Sequence, residues 1–206
     1  MLKVGLTGGV ACGKSTVGDM FVARGAKLVK ADEIAHRLMQ PGQKVYDDVV
    51  RHFGREILNP DGTINRPKLA QAAFGGGHVE ELNRLVHPAV IAEQERWMDE
   101  QVARDPAAVV IVEAALILEA GVEKRFDKMI MVTCGPGQKA ERFAARQGLS
   151  AEDARAEVER RQRAQRSDEE KIRAADYVID NSGTREQTER SVEKVWNELK
   201  QLAHRR

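Results

Sequence analysis

Apolar residues fall into five short runs, separated by longer stretches in which they recur every third or fourth position. That is the pattern of brief strands alternating with amphipathic helices. Val4-Gly5-Leu6-Thr7, Ala26-Lys27-Leu28-Val29, Ala108-Val109-Val110-Ile111-Val112, Met129-Ile130-Met131-Val132 and Tyr177-Val178-Ile179 read as the strands. The third is the most apolar, which marks it as central and buried, and it runs into Glu113. A helix is predicted over 15–23, stopped by Gly25, and helical spacing returns over 33–39, 43–53, 66–73 and 78–103. Gln40-Pro41-Gly42, Asn59-Pro60-Asp61-Gly62 and Gly75-Gly76-Gly77 divide those segments. Residues 136–174 are charged and helical, and a last amphipathic helix covers 184–203. Five strands alternating with helices predict an α/β fold with a parallel sheet in three layers. The helical stretch between the second and third strands is too long for a simple crossover and reads as an insertion.

Gly8-Gly9-Val10-Ala11-Cys12-Gly13-Lys14-Ser15 fits G-x-x-x-x-G-K-[ST], the phosphate-binding P-loop, and it lies between the first strand and the first helix. Gly8 and Gly13 let the backbone turn tightly, so that successive N–H groups face phosphate oxygens. The following helix aims its positive end at the same anion. Nucleotide contacts are therefore expected from Gly9, Val10, Ala11, Cys12, Gly13, Lys14, Ser15 and Thr16. Lys14 reaches the β- and γ-phosphates in such a loop, and the Ser15 hydroxyl ligates Mg²⁺. The chain is expected to bind a nucleoside triphosphate on a three-layer P-loop NTPase fold.

Composition narrows the partners. The 206 residues suffice for one α/β domain with an insertion but hardly for two independent domains. Thirty-three Lys and Arg balance 32 Asp and Glu, so no global field draws in nucleic acid and anion binding must be local. No apolar run approaches the roughly 20 residues of a membrane span, and Met1 leads straight into the first strand without room for a signal peptide. Two cysteines, Cys12 and Cys134, form no disulfide framework and suit a reducing compartment. A cytoplasmic monomer or small homo-oligomer is expected.

Four constellations carry candidate chemistry. Asp32 follows the second strand, at the edge where ligands of open α/β sheets sit. It takes the proton of a phosphoryl acceptor or holds the Mg²⁺ shell, or it caps a helix starting at Glu33, or it does both. Glu113, at the tip of a buried strand, either meets Mg²⁺ through water or the acceptor, or pairs with a nearby cation. Arg160, Arg161, Arg163 and Arg166, with Arg142 and Arg146 four apart upstream, form either a lid over transferring phosphates or a solvated face that Glu157 and Glu159 partly neutralise. His87-Pro88 marks a break or first-turn position in the insertion, with His87 extended; His87 and His36 are each anion contacts or structural residues. Two smaller features stay open as well. Cys12 lies near a helix N-terminus, which favours a thiolate, or is only a small residue fitting the turn. The turn Asp180-Asn181-Ser182-Gly183 packs an adenine base or caps the final helix.

Leu6-Thr7-Gly8-Gly9-Val10, Ala31-Asp32-Glu33-Ile34-Ala35-His36, Leu82-Asn83-Arg84-Leu85-Val86-His87-Pro88, Glu113 to Glu119, and Ala175-Asp176-Tyr177-Val178-Ile179-Asp180-Asn181 together resemble the dephospho-coenzyme A kinase family, nearly end to end. The resemblance implies ATP-dependent phosphorylation of the ribose 3′-hydroxyl of dephospho-CoA. It makes Asp32 the general base, places Arg142 and Arg146 over the triphosphate and Asn181 at the nucleotide, and gives the acceptor Asp32, His87, Glu113, Leu116, Arg161 and Gln165. Mg²⁺ would sit on Ser15, with Asp32 or Glu113 through water. Residues 1–32, 106–135 and 175–206 would form the nucleotide-binding core, 33–105 the acceptor-binding insertion and 136–174 the arginine-rich lid. The chain departs from the family pattern at Lys30, where an acid usually stands, and at Ala115-Leu116-Ile117, where Pro-Leu-Leu is usual. If extended, Lys30 and Asp32 would share a face and pair. Three other readings predict different things. A nucleoside monophosphate or other metabolite kinase would keep the lid and change the acceptor, and a non-catalytic nucleotide-binding regulator would bind ATP without turnover. A GTP-dependent switch would carry an Asn-Lys-x-Asp motif, which this chain lacks.

Overall fold

The computed structural model describes residues 1–75 and 77–205. Five strands, β1 (Leu2–Gly8), β2 (Lys27–Lys30), β3 (Val109–Glu113), β4 (Lys128–Thr133) and β5 (Tyr177–Asp180), form one parallel sheet in the order β2-β3-β1-β4-β5. Each apolar run forms its strand, and β1 is longer than its pattern suggests. Gly8 still pairs in register with Val132, which carries the ladder into the P-loop.

The chain divides into two compact units, 1–28 with 101–206, and 29–100. In the first unit, α1 (Lys14–Val22) and α9 (Arg185–His204) cover one face of the sheet. Val17, Met20 and Phe21 of α1 join Val192, Val195, Trp196 and Leu199 of α9 over Leu2, Val4, Leu6, Ile111, Ile130 and Ile179. A second cluster joins Ile117, Leu118 and Met129. The charged stretch between β4 and β5 forms three helices, α6 (Pro136–Gln147), α7 (Ala151–Arg163) and α8 (Asp168–Ala174). Phe143, Ala154 and Val158 of α6 and α7 pack with Val10 of the P-loop.

The second unit is helical: α2 (Ala31–Leu38), α3 (Lys44–Phe53), α4 (Arg66–Ala70) and most of α5 (Val79–Arg104). Ile34, Val45, Val49, Phe53, Ile57, Leu69, Val86 and Val90 make its core. A π-type turn over Gln71–Gly75 extends α4, and Gly76 of the predicted triple-glycine divider lies outside the described residues.

Two local expectations are corrected here. Pro88 neither breaks nor starts a helix; it lies inside the continuous α5, and His87 is helical. An interior proline forfeits one backbone hydrogen bond, at about 3 kcal/mol. Val86 and Val90, both buried in the second core, flank it and favour continuity. Nor does Asp32 cap a helix beginning at Glu33. Lys30, extended at φ −103° and ψ 122°, is the N-cap of α2, and Asp32 lies exposed in the first turn, where a carboxylate favours the helix dipole. Lys30 accordingly pairs with Glu33, at 3.6 Å, instead of with Asp32.

No helix among the described residues is long and apolar enough to cross a membrane.

Candidate active site

The P-loop turns through two left-handed residues. Gly13, at φ 84°, is the N-cap of α1, and Ala11 adopts φ 56°, which a side chain rarely tolerates. The loop is closed from Gly9 to Cys12, whose N–H reaches the Gly9 carbonyl at 3.4 Å. Lys14 folds back over it, its Nζ donating to the Gly8 and Gly9 carbonyls at 3.1 and 3.3 Å.

The Ser15 hydroxyl donates to Glu113 Oε1 at 2.7 Å. Glu113 is buried, and its other oxygen, Oε2, has no hydrogen-bond partner among the described residues. A buried carboxylate oxygen left unpaired is costly unless a cation or water meets it. A hydroxyl and a carboxylate side by side are also the hard oxygen donors that Mg²⁺ takes. The residues present thus fit that ion.

Asn181, just past β5, braces the loop from behind. Its Nδ2 donates to the Cys12 carbonyl at 2.9 Å, and its Oδ1 accepts from Thr188 at 3.0 Å. Thr184, not the Asp180–Gly183 turn, caps α9, with a capping box to Gln187. Arg142 of α6 donates from Nη2 to the Asn181 carbonyl at 2.9 Å, while its Nη1 is buried without a partner among the described residues. Arg142 and Arg146, four apart, have separate surroundings: Arg146 is exposed and lies over the Phe143 ring at 5.4 Å.

Both cysteines line this region. Cys134 approaches the Ala11 carbonyl at 4.0 Å, and the two thiols share a hydrogen bond. That bond from Cys12 draws the Cys134 thiol down to about 7, with Arg142 and Lys139 assisting, while the bond and burial push Cys12 well above the usual thiol range. Of the two readings of Cys12, the small buried residue of the turn holds, and Cys134 is the more acidic thiol. Cys12 is fully buried and keeps the shared proton.

The arginine-rich helix is partly neutralised from within. Glu157 takes Arg160 and Arg161 at 2.7 Å each, and they hold its carboxyl down to about 2, Arg160 foremost. Arg161 also lies 5.0 Å from the centre of the Phe143 ring. Gln165 is half-buried, and its Oε1 accepts from Lys171 at 2.9 Å; Leu116 is half-buried in the loop after β3.

Sequence reasoning missed two buried lysines. Lys139 of α6 pairs with Asp168 at 2.5 Å, and Lys171 of α8 pairs with Glu119 at 2.9 Å. Lys139 shares a helix face with Phe143, four residues on, and that spacing was the one available sign of its burial. Lys171 carried no sign, since its neighbour Ile172 is the one left exposed.

In the second unit, Asp32 and His36 are exposed on α2, and His87 is half-buried on α5, where burial lowers its pKa below the usual histidine value. It is thus neutral near pH 7.

A five-stranded parallel sheet, a P-loop entering its first helix and an acid at the neighbouring strand tip define a P-loop kinase. The family model described as dephospho-CoA kinase matches residues 2–187. Over 200 residues the chain is 40% identical to the dephospho-CoA kinase of Aquifex aeolicus, covering 97% of this chain and 98% of that one. It superposes on the crystal structure of TT1252 from Thermus thermophilus with a TM-score of 0.78 at 32% identity, covering 96% and 97% of the two chains. A dephospho-CoA kinase from Campylobacter jejuni gives 0.67 at 25% identity, with 97% of each chain covered. The chain belongs to the dephospho-CoA kinase family.

Proposed function

We propose that this protein transfers the γ-phosphoryl group of ATP to the ribose 3′-hydroxyl of dephospho-CoA, giving coenzyme A and ADP. The observation that carries the reading is the Ser15–Glu113 pair at the P-loop, with its second carboxylate oxygen buried and unpaired. Family membership supplies the acceptor.

In this reading the backbone N–H groups from Gly9 to Thr16 cradle the triphosphate. Lys14 exchanges the Gly8 and Gly9 carbonyls for the β- and γ-phosphates. Ser15 and Glu113 would hold Mg²⁺, which when bound would offset charge on the phosphate oxygens. Arg142 turns its buried Nη1 to the nucleotide, and Arg146 adds charge from the same helix. Asp32 accepts the proton of the attacking hydroxyl, a contribution typically worth about 10²–10⁴-fold. Being neutral, His87 orients the acceptor by hydrogen bonding instead of as a cation, and Leu116, Arg161 and Gln165 complete the acceptor contacts. The 33–105 insertion holds the acceptor and 136–174 forms the lid. The balanced charge supports an enzyme without affinity for nucleic acid, and in this reading it acts in the cytoplasm as a monomer or small homo-oligomer.

The test is ADP production from ATP and Mg²⁺ with dephospho-CoA, AMP, CMP, adenosine or no acceptor. Stimulation by dephospho-CoA alone, with 3′-phosphorylated product, is expected. Stimulation by a nucleoside monophosphate instead overturns the acceptor. ATP binding without turnover overturns the enzymatic reading and points to Lys30, where the family carries an acid.

A further inference from the structure

Helix α8 has seven residues, and its start is fixed by a capping box in which Ser167 and Glu170 exchange hydrogen bonds. Asp168 and Lys171 are three apart and so lie on one face of it. Each enters a largely buried ion pair, of opposite polarity and with a different part of the first unit.

Asp168 turns to the P-loop. Its partner Lys139 has a side chain only 5% exposed. A methyl group built on Gly9 would come 3.0 Å from Asp168 Oδ1 and 3.2 Å from Lys139 Nζ, so the pair rests directly against the phosphate-binding turn.

Lys171 turns to the loop after Glu113. Its side chain is fully buried and donates to Gln165 Oε1 at 2.9 Å and to the Ala115 carbonyl at 3.3 Å, besides pairing with Glu119. That carbonyl also accepts from Thr7 at 3.3 Å, and Glu119 accepts from the Arg166 N–H at 2.9 Å. One ammonium group thereby gathers the 115–119 loop and the end of the arginine-rich segment. A buried lysine is expensive to desolvate, and replacing such a pair with apolar groups is often neutral or stabilising. Stability alone is a weak account of two such pairs on two turns of helix.

We infer that Asp168 and Lys171 are positioning residues of the phosphoryl transfer, Asp168 setting the P-loop for the nucleotide and Lys171 setting Gln165 and the 115–119 loop for the acceptor. This rests on the dephospho-CoA kinase reading above. Neither side chain touches a reacting atom; each acts through the groups that it holds.

The two halves predict opposite kinetic signatures, which a general loss of structure would not produce. Lys171→Met should raise KM for dephospho-CoA by about tenfold, the scale of losing one hydrogen bond to a charged group, and leave KM for ATP unchanged. Asp168→Asn should raise KM for ATP and leave that for dephospho-CoA unchanged. Thermal unfolding checks that each variant is folded; should Lys171→Met fail to fold, Glu119→Gln keeps the side-chain shape and must give the same acceptor-side split. Folded variants that move both constants together, or neither, overturn the inference. A wild-type protein that does not turn over dephospho-CoA overturns the functional reading instead, and this inference with it.

Discussion

The Ser15 hydroxyl and Glu113 Oε1 lie 2.7 Å apart although 98 positions separate them in the chain. Parallel pairing of β1 with β3, which sets Leu6 opposite Glu113, brings the acid beside the start of α1. Glu113→Gln keeps an acceptor for Ser15 and removes the charge. Turnover should fall by about 10²-fold, the scale of losing one preorganised electrostatic group, and half-maximal activity should need more Mg²⁺. Steady-state rates across a Mg²⁺ titration check this; an unchanged Mg²⁺ requirement would remove Glu113 from the metal site.

Asp32→Asn should abolish most turnover while ATP still binds, because the amide no longer accepts a proton. A loss of about 10²–10⁴-fold is expected. Since Asp32 is exposed in the first turn of α2, the thermal midpoint should hardly change. Calorimetric ATP binding alongside single-turnover rates separates the two effects, and full turnover would remove Asp32 from its proposed role.

Asn181→Ala strips the brace from the P-loop. The Cys12 carbonyl and the Thr188 hydroxyl each lose a partner in a buried setting, so unfolding free energy should drop by about 1–3 kcal/mol. Urea unfolding measures it. Nucleotide affinity should weaken too, because the loop loses its preorganised turn. A variant as stable and as tight-binding as wild type would show that the brace is dispensable.

The thiol pair titrates in a defined window. Cys134 ionises near 7 in the fold and near 9.0 when unconstrained. Between those values the unfolded chain holds a proton that the folded one has released, so stability rises with pH across that window. The contribution is complete above 9.0 and is lost as pH falls through about 7. Cys12 has the opposite sign, and its retained proton turns the slope downward above the normal thiol value. Ultraviolet thiolate absorbance should show one group titrating near 7, absent in Cys134→Ser and shifted upward in Cys12→Ala, which removes the donor. No thiolate below 9.0 in the wild type would refute the shared proton.

Most of the architecture was legible in the order of residues. Strand positions, the P-loop and the succession of helices depend on local spacing, and local spacing survives folding. Even the acid at the tip of the third strand could be singled out, since a carboxylate ending so apolar a run is costly without a partner.

Tertiary packing decided what local rules misjudged. Pro88 continues a helix because Val86 and Val90 are buried on either side, and a core contact outweighs a missing hydrogen bond. Cys134 is the more acidic thiol, although Cys12 lies near the helix start, because the fold brings together two sulfurs more than a hundred residues apart in the chain and buries Cys12 completely. Helical periodicity cannot tell that Lys171 is buried while Ile172 is exposed, because the lysine's carbonyl partner, Ala115, lies 56 positions away. Sequence determined the elements and the phosphate loop, where the physics acts between neighbours. Charge pairing in the interior belongs to the tertiary structure, because the partner that makes a buried charge tolerable is chosen only when distant segments meet.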